Sequence, residues 1–214
     1  MLSPIPREVY ELYSGLRFWE RWHVKIRWRL CPFLQIAGHI PAEGRIVDIG
    51  CGRGMLANYL ALTGPRRRVT GIDKQAPRIR AAQASISGRK NIRFRLRDAL
   101  GLEREEFDVI ILSDMLHHLP PPAQEKLLGH CFRVLPDDGL LLLEDVTPDP
   151  KWKWVVHFLI DRTLNLGIRQ YFRPLPEWIA LLERIGFAAE HFPAHRGIPL
   201  PDFLLKCRKT GRGE

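Results

Sequence analysis

The feature that most limits what this chain can fold into is a regular alternation, across residues 45–146, of short apolar runs with helix-like segments. The strand candidates are Arg45–Gly50, Val69–Asp73, Ile92–Leu96, Asp108–Ser113 and Leu140–Val146, each rich in Val, Ile or Leu. Between them lie helix candidates at Met55–Leu62, Pro77–Ser87 and Pro121–Leu135, the last with Pro at a first-turn position and Asp137-Asp138-Gly139 after its end. Such an order predicts a mostly parallel α/β sheet with helices on both faces. Val109-Ile110-Ile111-Leu112 has no polar alternation, as expected of a central strand buried on both sides. Ile92–Arg97 does alternate, with Ile92, Phe94 and Leu96 against Arg93, Arg95 and Arg97, which suits an edge strand with one wet face. Phe187–Phe192 and Asp202–Cys207 read as a terminal strand pair joined by the loop Pro193–Pro201.

With 214 residues the chain suits one domain with appendages, and 45% hydrophobic and 27% charged residues are the globular mixture. The longest uncharged apolar runs, such as Leu140–Leu143, are far short of the ~18–20 residues that cross a bilayer. The first residues show no basic stretch followed by an apolar one, so no secretory signal is read and a cytoplasmic protein is expected. The four cysteines are dispersed, which predicts reduced thiols in or near the core and no zinc cluster. The net charge of +9 permits attraction to phosphates, anionic headgroups or acidic small molecules.

Composition divides the chain into residues 1–44, a helical cover, and 45–214, the main domain, interrupted by an inserted cover at 147–175. Five of the six tryptophans, Trp19, Trp22, Trp28, Trp152 and Trp154, lie in the two covers, and Trp178 follows soon after. In the first cover Phe18, Trp22, Ile26 and Leu30 fall four apart on one helical face, with Arg17, Arg21, Lys25 and Arg29 on a neighbouring one. A basic amphipathic helix is expected, its apolar row hidden against the sheet edge. With Arg17, Arg21, Lys25, Arg27 and Arg29 against Glu20, its +4 permits peripheral contact with an anionic membrane.

The chemistry centres on Val47-Asp48-Ile49-Gly50-Cys51-Gly52-Arg53-Gly54, a strand running into glycines and then a helix. Gly50 and Gly52 permit turns and close ligand approach, and the following helix start offers free N–H groups. A dinucleotide fingerprint would need its third glycine at Met55, whereas glycine comes one residue early. Asp48, just before the first glycine, suits a cationic amino-acid group better than a pyrophosphate. The second strand ends at Asp73, 25 positions after Asp48, where a carboxylate can accept from both hydroxyls of a ribose. Asp98-Ala99 follows the third strand.

This ordered set, together with Asp108–Ser113 and Asp114-Met115-Leu116-His117-His118-Leu119, resembles the class I S-adenosylmethionine-dependent methyltransferases. The resemblance covers residues 40–147 closely and Glu177–Phe187 more loosely. It implies a Rossmann-like, mostly parallel sheet with a terminal antiparallel pair, plus N-terminal and inserted helical cover. It also implies S-adenosylmethionine as cofactor. By the resemblance, Asp48, Gly50 and Gly52 surround the methionine portion, Asp73 the ribose, Asp98 and Ala99 the adenine, and Ser113 the amino-acid end, with Lys74 also counted among the cofactor contacts.

Methyl transfer chiefly requires that the acceptor be held close to the methyl group and water excluded, with a base useful for a hydroxyl acceptor. His118 is the candidate for positioning the acceptor or removing its proton; packing beneath the cofactor is the competing role. Tyr13, Asp114, His117 and Glu144 are candidate acceptor contacts, with Tyr10, Asp145, His157, Tyr171, Arg173 and His195 unranked around them. Two adjacent histidines with no carboxylate pair beside them predict no metal. The aromatic covers favour a small, hydrophobic or lipid-like acceptor, methylated at O or N, or at carbon, in a largely apolar pocket. Arg66-Arg67-Arg68 raises a nucleic-acid substrate as the alternative, against which stand dispersed basic residues and no appended RNA-binding module. A cofactor-binding scaffold without turnover is the remaining reading.

Overall fold

The structure is a computed structural model that describes residues 4–155, 159, 169–194 and 200–211. His157 and His195 lie outside the described residues, as do parts of the inserted cover and of the loop after Pro193. One seven-stranded sheet runs β3-β2-β1-β4-β5-β7-β6. Its strands are β1 (Glu43–Ile49), β2 (Arg66–Asp73), β3 (Ile92–Leu96), β4 (Val109–Ser113), β5 (Leu140–Val146), β6 (Phe187–Pro193) and β7 (Asp202–Lys209). β1 to β5 pair in parallel, while β7 inserts antiparallel between β5 and β6. The expected edge position of β3 and the terminal antiparallel pair are both present. β2 begins three residues earlier than its apolar run, because Arg66–Arg68 pair in register with Glu43–Arg45 of β1 despite their charge.

Helices α1 (Arg7–Glu11), α2 (Phe18–Leu30), α3 (Phe33–Gly38), α4 (Met55–Thr63) and α5 (Ala76–Ala84) precede β3, and α6 (Pro121–Val134) and α7 (Leu175–Ile185) follow β4 and the inserted cover. Successive side chains of a strand face opposite layers. Val109 and Ile111 accordingly join the core under α4 and α5, and Ile110 and Leu112 the core under α6 and α7. The four cysteines are free, Cys131 and Cys207 fully buried. Among the described residues, no helix is long and apolar enough to cross a membrane.

The N-terminal helices share the first of these cores. Val9, Tyr13, Val24, Trp28, Phe33 and Ile36 are buried with the residues of α4, and Trp28 meets Phe33 and Tyr59 edge-on, each at 5.4 Å between centroids. The orientation of α2 corrects the sequence expectation. The buried side chains are Val24 and Trp28, whereas Phe18 and Trp22 of the supposed inner row are exposed and Ile26 and Leu30 only partly covered. The inward sector carries Glu20, Val24, Arg27 and Trp28, three or four residues apart. Burial of Val24 and Trp28, at roughly 1.5–3 kcal/mol for a side chain of this kind, combines with ion pairs from Arg27 to Asp114 and from Glu20 to Arg53. Those polar partners turn the aromatic row outward.

Candidate active site

In an open α/β sheet the strand order reverses where two neighbouring strands send their connections to opposite sides, and ligands bind outside the strand ends at that point. Here the reversal falls between β1 and β4. A cleft of about 380 Å³ opens there, bounded by the loop after β1, the end of β2, the turn after β4 and the inward face of α2. That volume lies in the range of small-molecule sites.

The loop after β1 is shaped by three left-handed glycines, Gly50 (φ +74°), Gly52 (φ +55°) and Gly54 (φ +78°). At Gly54 a Cβ would come within 2.4 Å of the Phe94 ring, so both backbone and space exclude a side chain just ahead of α4. A Cβ at Gly52 would meet nothing within 4 Å, because that residue faces the open cleft. The Gly50 and Cys51 N–H groups both donate to the Ile72 carbonyl, at 2.8 and 3.1 Å, and fasten the loop to the end of β2. The carboxylate of Asp73 ties the two strand ends together, accepting from Gly52 N–H at 3.1 Å and Gln75 N–H at 2.8 Å.

Asp48 is 3% exposed and lines the cleft. Burial, and then the nearby charge of Asp73, pushes its carboxyl up to about 7. A buried carboxyl in that condition is poised to receive a cation. A cleft with an acid on each of two strand ends, glycines in place of side chains, and room for a nucleoside fits S-adenosylmethionine.

Of the residues expected at the site, Asp48, Gly50, Gly52, Asp73, Ser113, Asp114 and His118 line this one cleft. Lys74 and Asp98 stand outside its lining as an ion pair of 3.0 Å with both side chains more than half exposed. The Leu100 N–H, and then Lys74, hold Asp98 below the usual carboxylate range, and Ala99 is buried behind it. Tyr13 is corrected from an acceptor contact to a support. Its side chain is buried, its hydroxyl donates to the Arg53 carbonyl at 3.0 Å and accepts from Asn58 Nδ2 at 2.8 Å, and it braces the glycine loop from beneath.

His117 is likewise buried and outside the cleft lining. Its Nδ1 lies 2.5 Å from Asp145 Oδ1, its backbone N–H donates to Asp145 Oδ2 at 3.1 Å, and its ring stacks on Phe172. The His118 ring packs on it at 4.0 Å between centroids and reaches the cleft. Glu144 is buried and accepts from Ser113 Oγ at 2.6 Å. Burial first, and then Asp202, pushes Glu144 well above the usual carboxylate range; burial and then Asp114 do the same to Asp202. Asp114, His117 and Asp145 bring one potential ligand atom each within 4.8 Å of one another. No metal was expected because no carboxylate pair stood beside the two histidines in sequence; the fold brings Asp114 and Asp145 to His117, where a cation would compete with the His117–Asp145 hydrogen bond.

The sequence reading missed Glu20, His23 and Arg27, which line the cleft from α2. Their spacing of three and four residues was a legible polar stripe. His23 lies 3.4 Å from an Arg53 nitrogen, and burial, then Arg53, lowers its imidazole to about 4, so it is neutral at pH 7. The described lining is therefore strongly charged, and a largely apolar pocket is not what these residues form.

Fold and cleft together define a class I S-adenosylmethionine-dependent methyltransferase fold. The chain belongs to the methyltransferase domain family, whose model matches residues 22–191. It is 30% identical over 122 residues to a ubiquinone biosynthesis O-methyltransferase of Neisseria meningitidis serogroup C, across 54% of this chain and 50% of that one. It is 32% identical over 114 residues to the enzyme of that name from Pseudomonas fluorescens, across 51% and 47%. The chain thus spans about half the length of the curated relatives it matches. Among solved structures, the pyocyanin biosynthetic protein PhzM shares the fold with a TM-score of 0.73 and 21% identity, over 93% of this chain and 60% of that one. Human N-acetylserotonin methyltransferase, solved in complex with SAM, gives 0.71 and 18% over 97% and 60%.

Proposed function

We propose that this protein transfers a methyl group from S-adenosylmethionine to an acceptor on a small molecule, with oxygen the favoured atom and nitrogen or carbon the alternatives. The observation that carries the reading is the cleft at the sheet's reversal point, where Asp48, the glycine loop and Asp73 converge. The names of the curated relatives support the oxygen acceptor. When bound, the cofactor supplies an electrophilic methyl group on a sulfonium sulfur. Asp48 receives the cationic amino group, Gly50 and Gly52 admit the methionine portion, Asp73 with Lys74 beside it accepts from the ribose, and Asp98 and Ala99 flank the adenine. Ser113, held by Glu144, borders the amino-acid end.

His118 takes the acceptor's proton in this reading. Support comes from its reach into the cleft, while His117, fixed by Asp145, sits behind it and sets its position. α2 closes the cleft through Arg27 and Asp114 and excludes water. A lipid-like acceptor would place its polar reacting end among these charged groups and its apolar remainder elsewhere. We read the protein as cytoplasmic, touching lipid at most from the surface. Two of the arginines that raised a nucleic-acid substrate are already engaged: Arg67 donates to the carbonyls of Pro41 and Ile40, and Arg66 pairs with Glu43.

The test is release of S-adenosylhomocysteine from S-adenosylmethionine across a panel of phenols, catechols and amines with short and long alkyl tails. Acceptor-dependent release is expected. Cofactor binding without turnover across the whole panel would instead favour the scaffold reading.

A further inference from the structure

An amphipathic helix on a globular protein turns its polar face to water. α2 departs from this on both faces. Its inward sector carries Glu20, His23 and Arg27 toward the cleft beside the buried Val24 and Trp28, while the outward sector exposes Phe18 (82%), Trp19 (60%) and Trp22 (57%). Exposed aromatics of this size, contiguous on one turn, are an interaction surface and not ordinary scatter. The cations are placed around them. Lys25 and Arg29 lie exposed on the same outward sector, and Arg17 borders it with its guanidinium 5.3 Å from the Trp19 ring. Glu20, the acid of this helix, points the other way, into the cleft.

We infer that the outward face of α2 docks on the surface of an anionic lipid bilayer. An apolar stripe of Phe and Trp bordered by Lys and Arg is the pattern of a helix lying in the headgroup layer, where indole rings sit with an apolar body and a polar edge. A protein partner would have to match the same stripe with acids, and the net charge of +9 favours any extended anionic surface. Docking has a consequence for the proposed methyl transfer, on whose reading this one rests. The helix that lies on lipid is also the wall of the cleft, so an acceptor dissolved in the bilayer would approach beneath α2 without crossing bulk water.

Co-sedimentation tests this with phosphatidylcholine vesicles in which about a third of the lipid is phosphatidylglycerol. The protein should pellet with these at low salt, stay in solution at high salt, and ignore pure phosphatidylcholine; its tryptophan emission should shift to the blue on binding. A Phe18→Ser, Trp19→Ser, Trp22→Ser variant should lose the pelleting, and Lys25→Glu with Arg29→Glu should weaken it on the order of a hundredfold. These positions lie outside the cleft, so both variants should bind S-adenosylhomocysteine as the unaltered protein does. That readout separates failure of docking from failure of the cofactor site. Absence of pelleting at low salt, or pelleting indifferent to the aromatic triplet, would overturn the inference. So would a dimer in sedimentation velocity that the triplet variant abolishes without any lipid binding.

Discussion

The imidazole Nδ1 of His117 lies 2.5 Å from Oδ1 of Asp145, which joins the turn after β4 to the end of β5 inside the wall of the cleft. Asp145 is fully buried, and the same carboxylate also accepts the backbone N–H groups of His117 at 3.1 Å and Val146 at 2.8 Å. A buried acceptor with three donors is costly to remove, because each donor is left without its partner. Asp145→Ala should therefore lower stability by roughly 1.5–3 kcal/mol at least, the range for hydrogen bonds to a charged group. In a chain of this size that is a fall in Tm of several degrees. Thermal denaturation followed by circular dichroism checks it, and an unchanged Tm would contradict the structural role assigned to this pair.

His118 is separable from its neighbour. If it removes the acceptor's proton, His118→Ala should lower turnover by roughly 10²-fold or more while S-adenosylhomocysteine affinity stays nearly intact. Steady-state rates beside a binding titration distinguish this from packing, for which stability falls and turnover survives.

Gly54 tests the loop. Its φ of +78° alone costs a residue with Cβ roughly 1–2 kcal/mol, and the Phe94 ring at 2.4 Å from the added atom increases that. Gly54→Ala should destabilise the protein and weaken cofactor binding together, measured as Tm and Kd. Loss of neither would mean that the loop adapts.

If Asp48 receives the cofactor's amino group as proposed, cofactor affinity should depend on pH. Burial raises it from the usual 3.8 to about 7 in the folded protein, so its contribution to stability is fully present below 3.8 and lost as pH rises through 7. Binding a cationic amino group needs the ionised form. S-adenosylhomocysteine affinity should therefore be level above pH 7 and fall toward tenfold per unit below it, and Asp48→Asn should be weaker and lack that step. Calorimetry between about pH 5.5 and 8 reads this directly; an affinity flat across that span would remove Asp48 from the amino-group role.

What the sequence made legible was whatever rests on local periodicity. β5 was legible from its run Leu140-Leu141-Leu142-Leu143, which the fold buries together with Glu144, Asp145 and Val146, and the arginines alternating through β3 marked the edge. The carboxylates and glycines of the cleft were legible because they occupy strand ends, and in a parallel sheet strand ends share one side. The orientation of α2 was not. It carries two candidate apolar stripes, and the choice between them depends on Asp114, 87 positions beyond Arg27, which periodicity does not report. Tyr13 illustrates the same limit: its partners Arg53 and Asn58 belong to a loop and helix that the chain reaches only after the first strand. His117 with Asp145 is a pairing across two strand ends, and each residue alone reads as an ordinary polar terminus.

The central claim, that the cleft between β1 and β4 is an S-adenosylmethionine site, is tested most directly by calorimetric titration with S-adenosylhomocysteine, alongside NAD and the Asp73→Ala variant. Saturable one-to-one binding of S-adenosylhomocysteine is expected, with no comparable affinity for NAD and a loss of roughly 1.5–3 kcal/mol in the variant. Absence of binding, or an affinity that Asp73→Ala leaves unchanged, would contradict it.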